Sequence, residues 1–433
     1  RKGAAMKSWS ELTHYAGFDW AKDHHDIAIV DKSGARVAEF RISDTAEGWR
    51  QFGEWLKKFP ALGVVVETRS GAMIERLLAT RCTVFPINPK IATRYRERKT
   101  PSGAKSDQLD AWSMADALRL DGQSWKVLKA EDPLTQEIRE LTRDEVTLIE
   151  QRTALANQLQ QALHEYFPAA IEAFDEWTHP TAWAFIEKFP TPEILKRAGR
   201  KRWEKFLHVH RMYRPETCEK RLACFERASD FCGTPATIAA KSLLAISVVK
   251  LLKALEKQLD EYRKRITEAF ARHPDHDLFG SLPGAGAKIA PRLLGEIGTD
   301  RDRFDNPGAL QCHAGTAPVT TATGKRSKKN ALVLMRRACN HRLRHTVHLL
   351  SDLSRKTCTW AQVYYQKKRE EGHKHASALR CLGQRWMKIV WAMWTNRKKY
   401  DPELHQRNQT SHGSWVVSLI SANATPAATA KAN

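Results

Sequence analysis

The chain has no CxxC pair and no regular cysteine ladder; its eight cysteines, at 82, 218, 224, 232, 312, 339, 358 and 381, are scattered. That spacing argues against a zinc ribbon or a disulfide framework. Missing too is any run near the ~18 uninterrupted apolar residues of a membrane span, and the opening stretch RKGAAMKSWSELTH carries charge without the apolar core of a secretory leader. The expectation is a cytoplasmic protein with no membrane partner. Acid is scarce in one place. Residues 321–400 hold 20 Lys or Arg against three acids (Asp352, Glu370, Glu371), a surplus of 17 within a net charge of +22. Trp360, Tyr364, Tyr365, Trp386, Trp391 and Trp394 are interleaved there, so the segment can bury an apolar face and is no basic tail. A folded basic domain of this kind most often meets a phosphate backbone.

At 433 residues the chain exceeds one ordinary core, and roughly 150 residues per domain gives two or three. From Tyr15 the pattern alternates as in strands: YAGFDW, DIAIVD and RVAEFRIS, the last two joined by a KSGA turn. An amphipathic helix follows, capped at Ser43 or Asp44, then GVVVET, a helix from about Ala72, the strand CTVFPIN, a helix from PKIATRY, a basic loop, and a helix beginning in KSDQLDAW. This order predicts a mixed α/β sheet whose first three strands form a meander. Beyond Pro133 the period changes. Leu134, Ile138, Leu141, Leu148, Leu155, Leu159 and Ala162 fall on alternating four- and three-residue steps, with Glu145 and Arg152 in the seam. Val248, Leu252, Leu255, Leu259, Tyr262 and Ile266 repeat the pattern. Two such helices imply a coiled-coil hairpin, a dimer interface, or both. Proline-broken short helices fill 168–235. A turn of small residues in LFGSLPGAGAKIAPRLLGEIG (278–298) resembles a helix-hairpin-helix, in which backbone N–H groups can hold a phosphate. The expected parts are therefore an α/β domain at 1–125, a coiled-coil arm at 126–275, a basic helical domain at 276–405, and a disordered tail at 406–433.

Asp107 and Asp110 lie three apart, on one face of a helix, and like charges at that spacing call for a cation or a proton between them. A helix N-terminus capped by Ser106 or Asp107 accounts for acids there without any ligand. Asp19 closes the first strand and Glu67 the fourth, where α/β sheets expose chemistry. If those strands are neighbours and the Asp107 helix packs across their ends, four carboxylates share a cleft that suits two Mg²⁺ or Mn²⁺ ions and phosphodiester chemistry. Asp23 and Asp26, with His24 and His25, form a competing but weaker candidate, because a hairpin entry is commonly polar and solvated.

With these residues the chain resembles the DEDD-type insertion-sequence transposases: GFDWAKDHHD, VVVETRSG and KSDQLDAW match that family's acidic motifs, while HAGTAPVTTATGK, RRACNHRLR and YYQKKREEGHKHASALR resemble its C-terminal transposase domain. The resemblance, over about residues 14–400, implies a RuvC-type ribonuclease H fold for the first domain. It implies Asp19, Glu67, Asp107 and Asp110 as metal ligands, DNA as donor and target, a bridge RNA as guide, and a homodimer or homotetramer. It also implies a nucleoid-associated protein of a bacterium or archaeon. The family commonly places a Ser nucleophile before Gly-Lys in the later loop; here the matching residue is Thr323. Thr323 attacks, or Ser327 does, or strand exchange is lost. Lys105, Gly284, Gly286, Lys288, Lys325, Arg326, Lys328, Lys329, Arg336 and Arg337 are the candidate nucleic-acid contacts. Rival readings are a metal-dependent junction resolvase that hydrolyses with water, and a non-catalytic nucleic-acid-binding scaffold.

Overall fold

The structure is a computed structural model that describes residues 7–68, 71–100, 102–103, 105–321 and 332–424. It separates into two compact units, Arg1–Asp132 and Pro133–Asn433. In the first, alternating apolar residues give β1 (His14–Trp20), β2 (His24–Asp31) and β3 (Arg36–Ser43) as an antiparallel meander. Helix α1 (Ala46–Lys58) follows, then β4 (Leu62–Val66), α2 (Ala72–Ala79), β5 (Thr83–Pro86), α3 (Pro89–Lys99) and α4 (Asp107–Asp121). The strand order is β3-β2-β1-β4-β5, with β1, β4 and β5 parallel. This is the mixed sheet expected. One cap differs: Thr45, not Ser43 or Asp44, caps α1, because the Asp44 carboxylate is taken by the indole N–H of Trp49 at 2.8 Å and by Arg76.

The side-chain period of two decides what each face of the sheet does. Ala16, Phe18, Ile27, Ile29, Val64 and Val66 pack with residues of α1 and α2 in one core. Tyr15, Val30, Val65 and Phe85 pack with Met114, Ala115 and Leu118 of α4 in the other. Gly17 lies on that second face, where a Cβ would stand 1.8 Å from the Ala111 carbonyl oxygen. Glycine is the residue that lets α4 lie this close to β1.

In the second unit the two seam helices, α5 (Pro133–Tyr166) and α11 (Pro235–Ala271), pair with each other. Thr135 reaches His273, Arg152 pairs with Glu256, and Lys241 pairs with Glu165, so the helices run antiparallel within one chain. Between them α6 (Pro168–Ala173), α7 (Pro180–Lys188), α8 (Pro192–Ala198), α9 (Arg200–Val209) and α10 (Pro215–Glu226) close an aromatic core around Phe185 and Trp203. Next come α12 (His276–Gly280), α13 (Gly286–Ile297), α14 (Pro307–His313) and the two-stranded β6 (Val319–Thr321) and β7 (Leu332–Leu334). Helices α15 (His341–Thr357), α16 (Thr359–Glu370) and α17 (His375–Asn396) complete a core containing Trp386 and Trp394. The tail expected to be disordered from 406 is helical as far as Ala424, in α18 (Pro402–Ser411) and α19 (Trp415–Ala424). The reason is tertiary: Trp415 stacks on Tyr364 and Val416 is buried in the core.

Gly17→Ala is expected to destabilise the first unit by about 3 kcal/mol or more, the upper end of overpacking costs, because backbone rather than a flexible side chain opposes the new methyl. Urea unfolding followed through the first unit's tryptophans measures it, and a change within experimental error would show that α4 can retreat freely.

Candidate metal centre

Strands β1 and β4 are adjacent and parallel with Phe18 opposite Val66, so the next residue along each is Asp19 and Glu67. The same alternation that aims Tyr15 and Val65 at α4 aims these two carboxylates to that side. Ser106 begins α4 as its N-cap, its hydroxyl accepting the Leu109 N–H at 3.2 Å, and the first turn carries Asp107 and Asp110. Because Gly17 admits Ala111 against β1, the turn just before Ala111 comes over the strand ends.

Electrostatics reports the convergence. Burial first, and then the charges of Asp110, Glu67, Asp107 and Asp26, push the Asp19 carboxyl up to about 7 from an ordinary 3.8. Glu67 is raised by its own burial and by Asp110, against the opposing charges of Arg96 and Lys105. Two arginines answer part of the repulsion: Arg96 holds Asp110 at 2.7 Å, and Arg41 lies 3.6 Å from Asp107. A proton or a hard divalent cation can neutralise the rest of such a set, and carboxylate oxygens are the donors such a cation takes.

Asp26 is the residue that sequence reasoning undervalued. It is register partner to Asp19 across the β1–β2 pair and shares the α4 side of β2 with Ala28 and Val30. It is buried, and Arg41 grips both of its oxygens, at 3.1 and 2.9 Å. Among the described residues, ligand atoms of His24, Asp26 and Asp107 fall within 4.8 Å of one another, a geometry that can hold an ion. The available signal was parity: Asp26 and Val30 are an even number of residues apart. The hairpin entry taken as solvated is, at Asp26, interior.

Of the candidate nucleic-acid contacts, Lys105 is exposed and close enough to Glu67 to lower its carboxyl. Gly284, in the turn between α12 and α13, and Gly286, the first residue of α13, adopt positive φ, 77° and 50°, and Gly284 lies against the α15 backbone, where a Cβ would meet Ser354 N at 2.8 Å. Lys288 and Arg337 are exposed and Arg336 is half-buried. Thr323, Lys325, Arg326, Ser327, Lys328 and Lys329 lie outside the described residues.

The Asp19 shift has a defined pH sign. Between about pH 4 and 7 the folded state binds a proton that the unfolded state has released, so stability falls as pH rises through that window and the loss is complete above 7. With divalent cations chelated, Asp19→Asn should therefore melt above wild type at pH 8, by on the order of 1 kcal/mol once solvent screening is allowed for, and equal to it near pH 4. Scanning calorimetry at the two pH values checks this; an equal gain at both would assign the effect to packing.

Comparison with known proteins agrees with this architecture. Residues 16–168 match a family model described as Transposase, and residues 276–366 match one described as Transposase IS116/IS110/IS902 family. The mini-circle putative transposase for IS117 of Streptomyces coelicolor is 32% identical over 417 residues, covering 91% of this chain and 97% of that protein. The IS900 uncharacterized 42 kDa protein of Mycobacterium paratuberculosis is 27% identical, covering 90% of this chain and 97% of its own length. The IS116 uncharacterized 44.8 kDa protein of Streptomyces clavuligerus is 24% identical, with 90% and 96% covered. With a full-length relative above 30% identity and two family models matched in order, the chain belongs to the IS116/IS110/IS902 family of transposases.

Proposed function

We propose that this transposase is a site-specific DNA recombinase in three parts: a RuvC-like catalytic domain at 1–125, a coiled-coil arm at 126–275, and a basic helical domain at 276–405 that carries the nucleophile. Asp19, Glu67, Asp107 and Asp110 hold the metal, Mg²⁺ or in its place Mn²⁺. What supports this ligand set above all is the register that puts Asp19 beside Glu67 with the first turn of α4 over them, together with the upward shift of Asp19 caused by burial and by the charges of Asp110, Glu67, Asp107 and Asp26. Bound there, the cation supplies the charge that favours the attacking and leaving oxygens of phosphodiester exchange. Arg96 fixes the rotamer of Asp110 through the 2.7 Å contact. The Thr323 hydroxyl attacks phosphorus: its O–P bond forms as the bond to the leaving deoxyribose oxygen breaks, which conserves the phosphodiester for rejoining. The protein works as a homodimer or homotetramer with donor and target DNA, and a bridge RNA supplies sequence by pairing, so few side chains need to read bases.

Asp19→Asn, Glu67→Gln, Asp107→Asn and Asp110→Asn should each lower strand cleavage by at least about a hundredfold, ~2.7 kcal/mol of barrier, while DNA binding persists. Chelation should stop cleavage and Mg²⁺ restore it. Wild-type rates in two or more of these variants exclude the ligand set. Mass spectrometry of a stalled complex should place a DNA adduct on Thr323, absent in Thr323→Ala and at least as abundant in Thr323→Ser, which keeps the hydroxyl and sheds the methyl that hinders attack. An adduct on Ser327 moves the role four residues along; cleavage without any adduct indicates a hydrolytic resolvase. For the guide, sequencing of copurifying RNA should recover segments complementary to the DNA sites, and its absence from active protein excludes RNA guidance.

A further inference from the structure

The first turns of α15 separate two small cavities in the second unit. The one of about 230 Å³ has Glu150 and Glu296 among its lining residues together with Arg143, Arg292 and Arg342, so most of its positive charge is offset. The other, of about 260 Å³, has no carboxylate among its described lining residues, which include Arg344, Arg380, His341, His345, His348 and Thr316. The Arg344 guanidinium donates to His341 Nδ1 at 2.9 Å, and Arg380 lies 3.4 Å from Ser377 Oγ. Among the described residues neither forms an ion pair. The acid on the neighbouring stretch of α15, Asp352, is engaged by Arg355 at 2.6 Å and Lys356 at 2.8 Å.

Two guanidiniums with no ion-pair partner among the described residues, hydrogen-bonded to His341 and Ser377 at the wall of a cavity whose described lining holds no carboxylate, make an anion site, and a planar guanidinium suits phosphate oxygens. The volume lies below the ~300–1,000 Å³ of small-molecule clefts but accommodates a phosphate with ordered waters at ~30 Å³ of liquid volume each. Its position names the source of the phosphate. Thr316 stands just ahead of β6, and Met335, also in the wall, follows β7 directly, so the cavity adjoins the base of the hairpin whose connection carries Thr323.

We propose that the Arg344–Arg380 cavity holds a backbone phosphate of the DNA strand being exchanged. The choice of DNA rests on the reading of Thr323 as nucleophile; the choice of phosphate rests on the cavity alone. The site positions the strand and takes no part in bond making.

The test uses the full chain and a duplex carrying the element's end, with affinity measured from roughly 50 to 200 mM salt. Arg344→Gln with Arg380→Gln should weaken binding about tenfold or more at the low end and flatten the slope of log K against log salt by about one, alike for any DNA sequence. Arg344→Lys with Arg380→Lys should recover most of the affinity. Removing two exposed charges on α9, Lys201→Gln with Arg202→Gln, should leave the slope unchanged. An unchanged slope in the Gln pair overturns the proposal. So does a loss seen with an RNA oligonucleotide but not with DNA, or a loss that the Lys pair shares together with a lowered melting temperature, which marks a packing role. The wider reading fails separately: a wild-type chain with no salt-dependent DNA affinity overturns it, whereas a steep slope that the Gln pair retains overturns only the cavity.

Discussion

The contact on which the first unit depends is the approach of the α4 backbone to β1 at Gly17. No side chain fits between that strand and the Ala111 carbonyl. A helix held away by even a methyl group would carry Asp107 and Asp110 back from the strand ends and relax both the burial and the charge repulsion that raise Asp19. Packing here is therefore the source of the electrostatics: apolar burial of Met114, Ala115 and Leu118 pins the helix, and the acids one turn earlier are carried into a field they would otherwise avoid.

That field is only partly balanced within the protein. Arg41 bridges Asp26 and Asp107, and Arg96 serves Asp110. Asp19 and Glu67 have their carboxyls raised instead. The two arginines thus separate acids that have a cationic partner within the protein, Asp26, Asp107 and Asp110, from Asp19 and Glu67, whose carboxyls are raised. The His24–Asp26–Asp107 trio qualifies on distance, yet Arg41 already grips both oxygens of Asp26.

The second unit uses buried charge for a different purpose. Glu145, a charged residue inside the α5 seam, meets Arg292 of α13 at 2.8 Å, and Glu296 is held by Arg143 at 2.8 and 3.1 Å and by Asn340 at 2.6 Å. Burial works to raise Glu296, but Arg143 and Asn340 bring it below its ordinary range. Such pairs add little net stability compared with apolar replacements, but breaking one strands a charge at a cost of about 3–5 kcal/mol, so they favour one register over its slipped alternatives. Asn340 has a second role: its side-chain oxygen accepts the N–H groups of Arg342 and Leu343 and caps α15. Through this one residue the arm and α13 are tied to the helix that carries Arg344.

By itself the sequence determined what is local. Alternation marked the first three strands and apolar runs the next two, the heptad steps marked α5 and α11, and the motifs containing Asp19, Glu67, Asp107 and Asp110 carried the family resemblance that the comparisons bear out. Tertiary structure decided whatever depends on distant parts of the chain. Asp26 looked like a solvated hairpin residue because its face follows from register with Asp19 and from the helix above it, neither of which is written in DWAKDHHD. Trp415 and Val416 looked like the start of a tail because their partners lie in α16 and the core around it. Arg344 and Arg380, 36 residues apart, were two among many basic residues until α15 and α17 packed together. Periodicity is encoded in neighbours along the chain and survives in any context, whereas which charges share a cleft is set by packing between elements, where a single glycine can move a helix by the width of a side chain.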